Sequence, residues 1–134
     1  MVPCGLLLLI WPPEDTRCDG STHLPAGVPV VTVAALKTVV EPFNGRHRVY
    51  GLFALPLTCP PGQPVILSVA GVGHYCDTAE NTGRELDGVR APPGHYLMRD
   101  PIRTRTALGL LLWGQGDRLR QPRNWTLSYA QPGN

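Results

Sequence analysis

Apolar and polar positions alternate with a period of two in places along this chain, cleanly over 124–129, and the stretch around which the rest is organised is 28–57. Two apolar runs there flank Asn44-Gly45. A two-residue hairpin turn of type I′ needs positive φ at both central positions, which Asn and Gly tolerate. The register follows from the turn. Phe43 faces Arg46, Glu41 faces Arg48, Val40 faces Val49, Val39 faces Tyr50 and Leu36 faces Phe53. One face then carries Phe43, Glu41, Val39, Lys37, Arg46, Arg48, Tyr50 and Leu52. The other carries Val40, Thr38, Leu36, Ala34, Val49, Gly51, Phe53 and Leu55. The second face is the more apolar and is expected to line the core, and Glu41 opposite Arg48 is expected to form a cross-strand ion pair. Pro42 pairs with His47 at a position whose N–H points away from the partner strand, so the first strand is expected to be a sheet edge near the turn.

The same period predicts further strands. Residues 28–36 are rich in β-branched side chains, and a strand is expected there, continuing through Thr38, Val39 and Val40. Pro-Pro-Gly tracts at 60–62 and 92–94 read as turns that introduce strands at 64–72 and 95–99. A long strand is expected over 102–113. In 124–129, Trp125, Leu127 and Tyr129 are expected inward and Asn124, Thr126 and Ser128 outward. Residues 73–90 are polar with little periodicity and read as a long loop with one helical turn near 78–81. Residues 114–123 read as a second polar loop, and 131–134 as a tail. Near the start, Gly5-Leu6-Leu7-Leu8-Leu9-Ile10-Trp11 lacks a basic flank and a small-residue cleavage site, so it reads as a buried strand rather than a signal peptide. The sum is an all-β, single-domain antiparallel β-sandwich or jelly-roll-like barrel of about seven to eight short strands with little helix. Residues 1–27 are its N-terminal strand and loop, and 28–130 its β core.

Composition supports this. The chain has 134 residues, among them 15 Gly and 15 Pro. That is enough for one domain with a real core, and too densely punctuated for long helices. Charged residues make up 16%, against about 25% in typical globular chains. The net charge of +2 supplies no strong field toward nucleic acid or membrane. No segment approaches the ~20 apolar residues of a membrane span. Of the cationic residues, Lys37 is the sole lysine and the others are arginine, the residue suited to planar, bidentate interface contacts.

Candidate chemistry is sparse. Cys4, Cys18, Cys59 and Cys76 are first expected as thiols of a chain folding in a reducing compartment, with two disulfides as the second reading. A zinc site of Cys59, His74 and Cys76 with Cys18 or His23 lacks any C-x-x-C spacing. His74 and Cys76 share a face if they lie on a strand, which brings a base beside a thiol, yet no further catalytic motif accompanies them. Glu80, Glu85 and Asp87 do not follow the spacing of a calcium loop. The arginines of 99–123, including Arg103 and Arg105, lie near Tyr96, Trp113 and Trp125. Stacking on single-stranded nucleic acid is weighed there, but the tryptophans fall on apolar strand faces. Asn124-Trp125-Thr126 matches the N-glycosylation acceptor pattern.

The expected function is therefore a non-enzymatic structural, assembly or protein-binding β module. It fits a minor or decorating component of a virus capsid or a similar large assembly, located with the virion or outside the cell. A secreted, disulfide-stapled domain binding carbohydrate or protein, and a small Cys/His-dependent enzyme, are the alternatives. The expected partners are other protein subunits, with no cofactor and no metal implied. The expected interface is the hairpin tip, Phe43, Asn44, Gly45, Arg46, His47 and Arg48, together with Arg103 and Arg105.

Overall fold

The long hairpin forms in the expected register. β2 (Lys37–Phe43) pairs antiparallel with β3 (Arg46–Pro56), with Phe43 opposite Arg46, Glu41 opposite Arg48 and Val39 opposite Tyr50. These positions come from a computed structural model, which describes residues 29–43, 46–56, 63–79, 82–102 and 116–130. The expected N-terminal strand, the segment 103–113 and the C-terminal tail lie outside the described residues.

Two four-stranded antiparallel sheets face each other. β1 (Val30–Ala34), β4 (Pro64–Val69), β5 (Gly73–Thr78) and β10 (Trp125–Ala130) form the first, in the order β1-β10-β4-β5. The second holds β2, β3, β6 (Thr82–Gly83) and β9 (His95–Pro101), in the order β2-β3-β9-β6. Among the described residues β2 is thus an edge strand, as Pro42 implies. β7 (Glu85–Leu86) and β8 (Val89–Arg90) make a separate ribbon. A short helix, α1 (Gly116–Leu119), and a 3-10 turn at Pro122–Asn124 lead into β10. The architecture is the all-β sandwich that the alternation predicts. Among the described residues no helix is long and apolar enough to cross a membrane.

The core lies between the sheets, built from alternate residues of each strand. Val65, Leu67, Val69, Trp125, Leu127 and Tyr129 of the first sheet meet Val49, Phe53, Leu55, Tyr96 and Met98 of the second. Trp125 is fully buried at its centre, and its indole N–H donates to the Leu119 carbonyl at 2.7 Å, tying α1 to the core. Gly51 makes room for it. A Cβ at that position would stand 2.8 Å from Trp125 Cε3 and 3.0 Å from the Phe53 ring, closer than side chains pack.

The two sheets share one continuous run of chain. Ala35 donates its N–H to Trp125 in the first sheet, and the next residue, Leu36, donates to Leu52 in the second. The chain changes sheet between these two residues. This corner corrects one expectation. Leu36 was to face Phe53 in the core, but the turn from sheet to sheet leaves it 48% exposed.

Residues 73–90 are not a long loop. They hold β5, β6, β7 and β8, and the expected helical turn is absent from its described part, where Thr78 ends β5 and Ala79 is buried. Nor is 114–123 wholly loop, since α1 and the 3-10 turn lie there. The strand expected over 64–72 ends at Val69, where Val72 N–H closes a turn onto the Val69 carbonyl. The tract at 92–94 does turn. Gly94 has φ of 76° behind Pro93, and His95 N–H bonds the Pro92 carbonyl, a type II arrangement that feeds β9.

Candidate functional site

Asp87-Gly88 builds the principal site. These residues join β7 to β8 with φ of 51° and 78°, the two positive angles of a type I′ hairpin turn. The ribbon folds against β9 on the outer face of the second sheet, with Leu86 over Gly83. Leu52 and Leu97, diagonal neighbours on that outer face by register, are completely buried. Tyr50 is also buried. The sequence places Tyr50 and Leu52 on the polar, solvent-facing side of the hairpin, and that expectation fails, since both are buried, Tyr50 beneath Asp87 and Arg99.

Polar groups converge on Tyr50 at the ribbon's turn. Its hydroxyl donates to Asp87 Oδ1 at 3.0 Å, with Glu41 Oε2 a longer second acceptor at 3.4 Å. Arg99 lies over the Tyr50 ring with its guanidinium carbon 5.6 Å from the centroid, and its Nη1 is 4.0 Å from Asp87 Oδ1. That geometry suits a cation–π contact. Lys37 Nζ donates to the Asp87 backbone carbonyl at 3.0 Å. Glu41, Arg48, Tyr50, Arg99 and Pro101 border a recess of about 140 Å³ beside this cluster. Burial raises the Tyr50 phenol above its ordinary value. Arg99 opposes the rise, while Asp87 and Glu41 add to it by favouring the neutral form.

Buried phenols elsewhere shift the same way. Burial, with Tyr129 adding, pushes Tyr96 up to about 12, and burial raises Tyr129. A tyrosine whose folded value exceeds its unfolded value of about 10 contributes stability that is complete below pH 10. That contribution is lost as pH rises through the folded values. The melting temperature is therefore expected to fall steadily from pH 10 to 12, with tyrosinate absorbance appearing together with unfolding. Ionisation of every phenol near pH 10 with the melting temperature unchanged would contradict these environments.

A second depression, of about 440 Å³, lies on the outer face of the first sheet. Ser68, His74, Arg123, Asn124 and Thr126 line it with the turn at 70–73. Ser68 Oγ and His74 Nδ1 are 2.7 Å apart across β4 and β5, at positions the register makes direct partners.

His74 and Cys76 do share the outer face of β5, as their spacing implies. Cys76, however, is disulfide-bonded, and its partner lies outside the described residues. The first expectation of thiols is corrected for this residue. Its sulfur is neither a thiolate nucleophile nor a zinc ligand in that state. Of the acidic residues of 80–87, Glu80 lies outside the described residues and the other two part. Glu85 pairs with Arg90 across the ribbon at 3.7 Å, both largely exposed, and Asp87 turns to Tyr50. Among the described residues no group of three or more His, Cys, Asp or Glu side chains is placed to hold a metal ion.

Of the expected interface, the backbones of Phe43 and Arg46 close the hairpin, while Asn44, Gly45, Arg103 and Arg105 lie outside the described residues. His47 is exposed and Arg48 half-buried, and strand alternation sends them to opposite faces. Of these two, Arg48 borders the Tyr50 recess. Asp87, Tyr50 and Arg99 were not singled out as site residues from sequence. The available signal was Asp87-Gly88 between Glu85-Leu86 and Val89-Arg90, which is the same hairpin code as Asn44-Gly45. Comparison with protein-family models, curated proteins and solved structures found no match to this chain.

Proposed function

We propose that the chain is a non-enzymatic β-sandwich module that binds another protein subunit through the outer face of the second sheet. The observation that carries this is the pre-ordered cluster at the recess, where Arg99 is stacked on a buried tyrosine and held by Asp87. An arginine side chain fixed before contact loses little conformational freedom on binding, which is the property of an interface anchor. Arg48 and Arg99 stand beside Glu41 at the rim, so the recess suits a partner that presents mixed polar and charged groups. The disulfide at Cys76 supports an oxidising setting, either a secreted domain or a subunit on the surface of a capsid-like assembly. It also removes the thiol on which the enzymatic alternative depends.

The test is a photoreactive residue placed at Arg48, compared with one at Thr126 on the opposite sheet, in the material from which the chain is isolated. A discrete protein adduct from position 48 alone is expected. Arg99→Glu should weaken that association at least tenfold, about 1.4 kcal/mol, while circular dichroism stays unchanged. Equal adducts from both positions, or none from position 48, would sink the proposal.

A further inference from the structure

The opposite sheet carries a motif that protein docking does not use. We infer that Asn124 is an N-glycosylation site and that the depression beside it accommodates the first sugar of the glycan. Three observations support this. Asn124-Trp125-Thr126 has the acceptor spacing. Cys76 is disulfide-bonded, which fits folding in the oxidising lumen where such transfer occurs. The third is geometric. Trp125 points into the core, whereas Asn124 and Thr126 both line the open 440 Å³ depression on the outer face. The acceptor amide and the hydroxyl two residues later thus lie on the same accessible surface.

The local frame tolerates the modification. The Asn124 backbone is fixed by its N–H to the Gln121 carbonyl at 3.0 Å and by its carbonyl to Ala70 N–H at 2.9 Å. Its Nδ2 donates to the Arg118 carbonyl at 2.8 Å. A glycosylated Nδ2 keeps one N–H, so that bond can persist. In the transfer, Nδ2 loses one proton and attacks C1 of a polyprenyl-diphosphate-linked oligosaccharide. The Nδ2–C1 bond forms, the C1–O bond to the diphosphate breaks, and the polyprenyl diphosphate leaves with the electron pair. Ser68, His74 and Arg123 supply hydroxyl, imidazole and guanidinium groups around the product sugar.

The full chain, translated behind a cleavable secretion signal with microsomal membranes, tests this. One upward step in mass is expected, reversed by a peptide-N-glycosidase. The step should vanish in Asn124→Gln and in Thr126→Ala, and persist in Thr126→Ser, which retains the hydroxyl. No step on the translocated chain, or a step that survives Asn124→Gln, overturns the inference. Neither outcome touches the Arg48 crosslinking result, which reports on the other sheet.

Discussion

Trp125→Ala is expected to remove a large part of this protein's stability. The side chain is fully buried between the sheets and its indole N–H satisfies the Leu119 carbonyl. Truncating such a residue costs about 3–5 kcal/mol through lost burial and the cavity left behind. Small domains have about 5–15 kcal/mol in total. The effect should be large because Gly51 packs directly against the ring, and a glycine has no side chain with which to refill the space. Trp125→Phe separates the contributions. It keeps most of the apolar volume but leaves the Leu119 carbonyl without its donor, and should cost roughly 1–3 kcal/mol. Denaturant midpoints for both variants check this. A Trp125→Ala midpoint within error of wild type would mean that the core is not centred on this residue.

Breaking the Cys76 disulfide comes second. Among the described residues Cys76 sits on β5, the edge of the first sheet, and its bond ties that edge to a cysteine outside them. Cross-links of this kind commonly contribute about 2–4 kcal/mol, largely by restricting the unfolded chain. Cys76→Ala should lower the melting temperature, and chemical reduction of the wild type should lower it by at least as much. Thiol titration of the denatured, unreduced chain gives the direct check. A reactive Cys76 in that titration would remove both the bond and the argument for an oxidising setting.

How much of the site was legible depends on the range of the interactions that make it. The Asn44-Gly45 hairpin was readable because its turn chemistry and register are local. Asp87-Gly88 carried the same code in only a few residues, amid polar neighbours, so a pair of two-residue strands looked like loop. Tyr50 could not be placed from sequence at all. Its own strand assigns it to the solvent face, and it is buried by side chains from elsewhere, Asp87 of the ribbon's turn and Arg99 of β9 among them. Arg99 likewise appeared as one of several arginines in a basic segment until β9 set it beside β3.

The sequence by itself determined the local conformations: the β class, the hairpin register from Phe43–Arg46 to Val39–Tyr50, the Pro42 edge and the inward row Trp125, Leu127 and Tyr129. Each follows from turn residues and a period of two, which act within one strand or between neighbours. Tertiary structure decided the order of strands in each sheet, the exposure of Leu36, the cover over Tyr50 and the bonded state of Cys76. Those depend on which distant segments come together. The physical reason is that alternation specifies two faces of a strand, whereas the burial of either face is set by whatever the rest of the chain lays upon it.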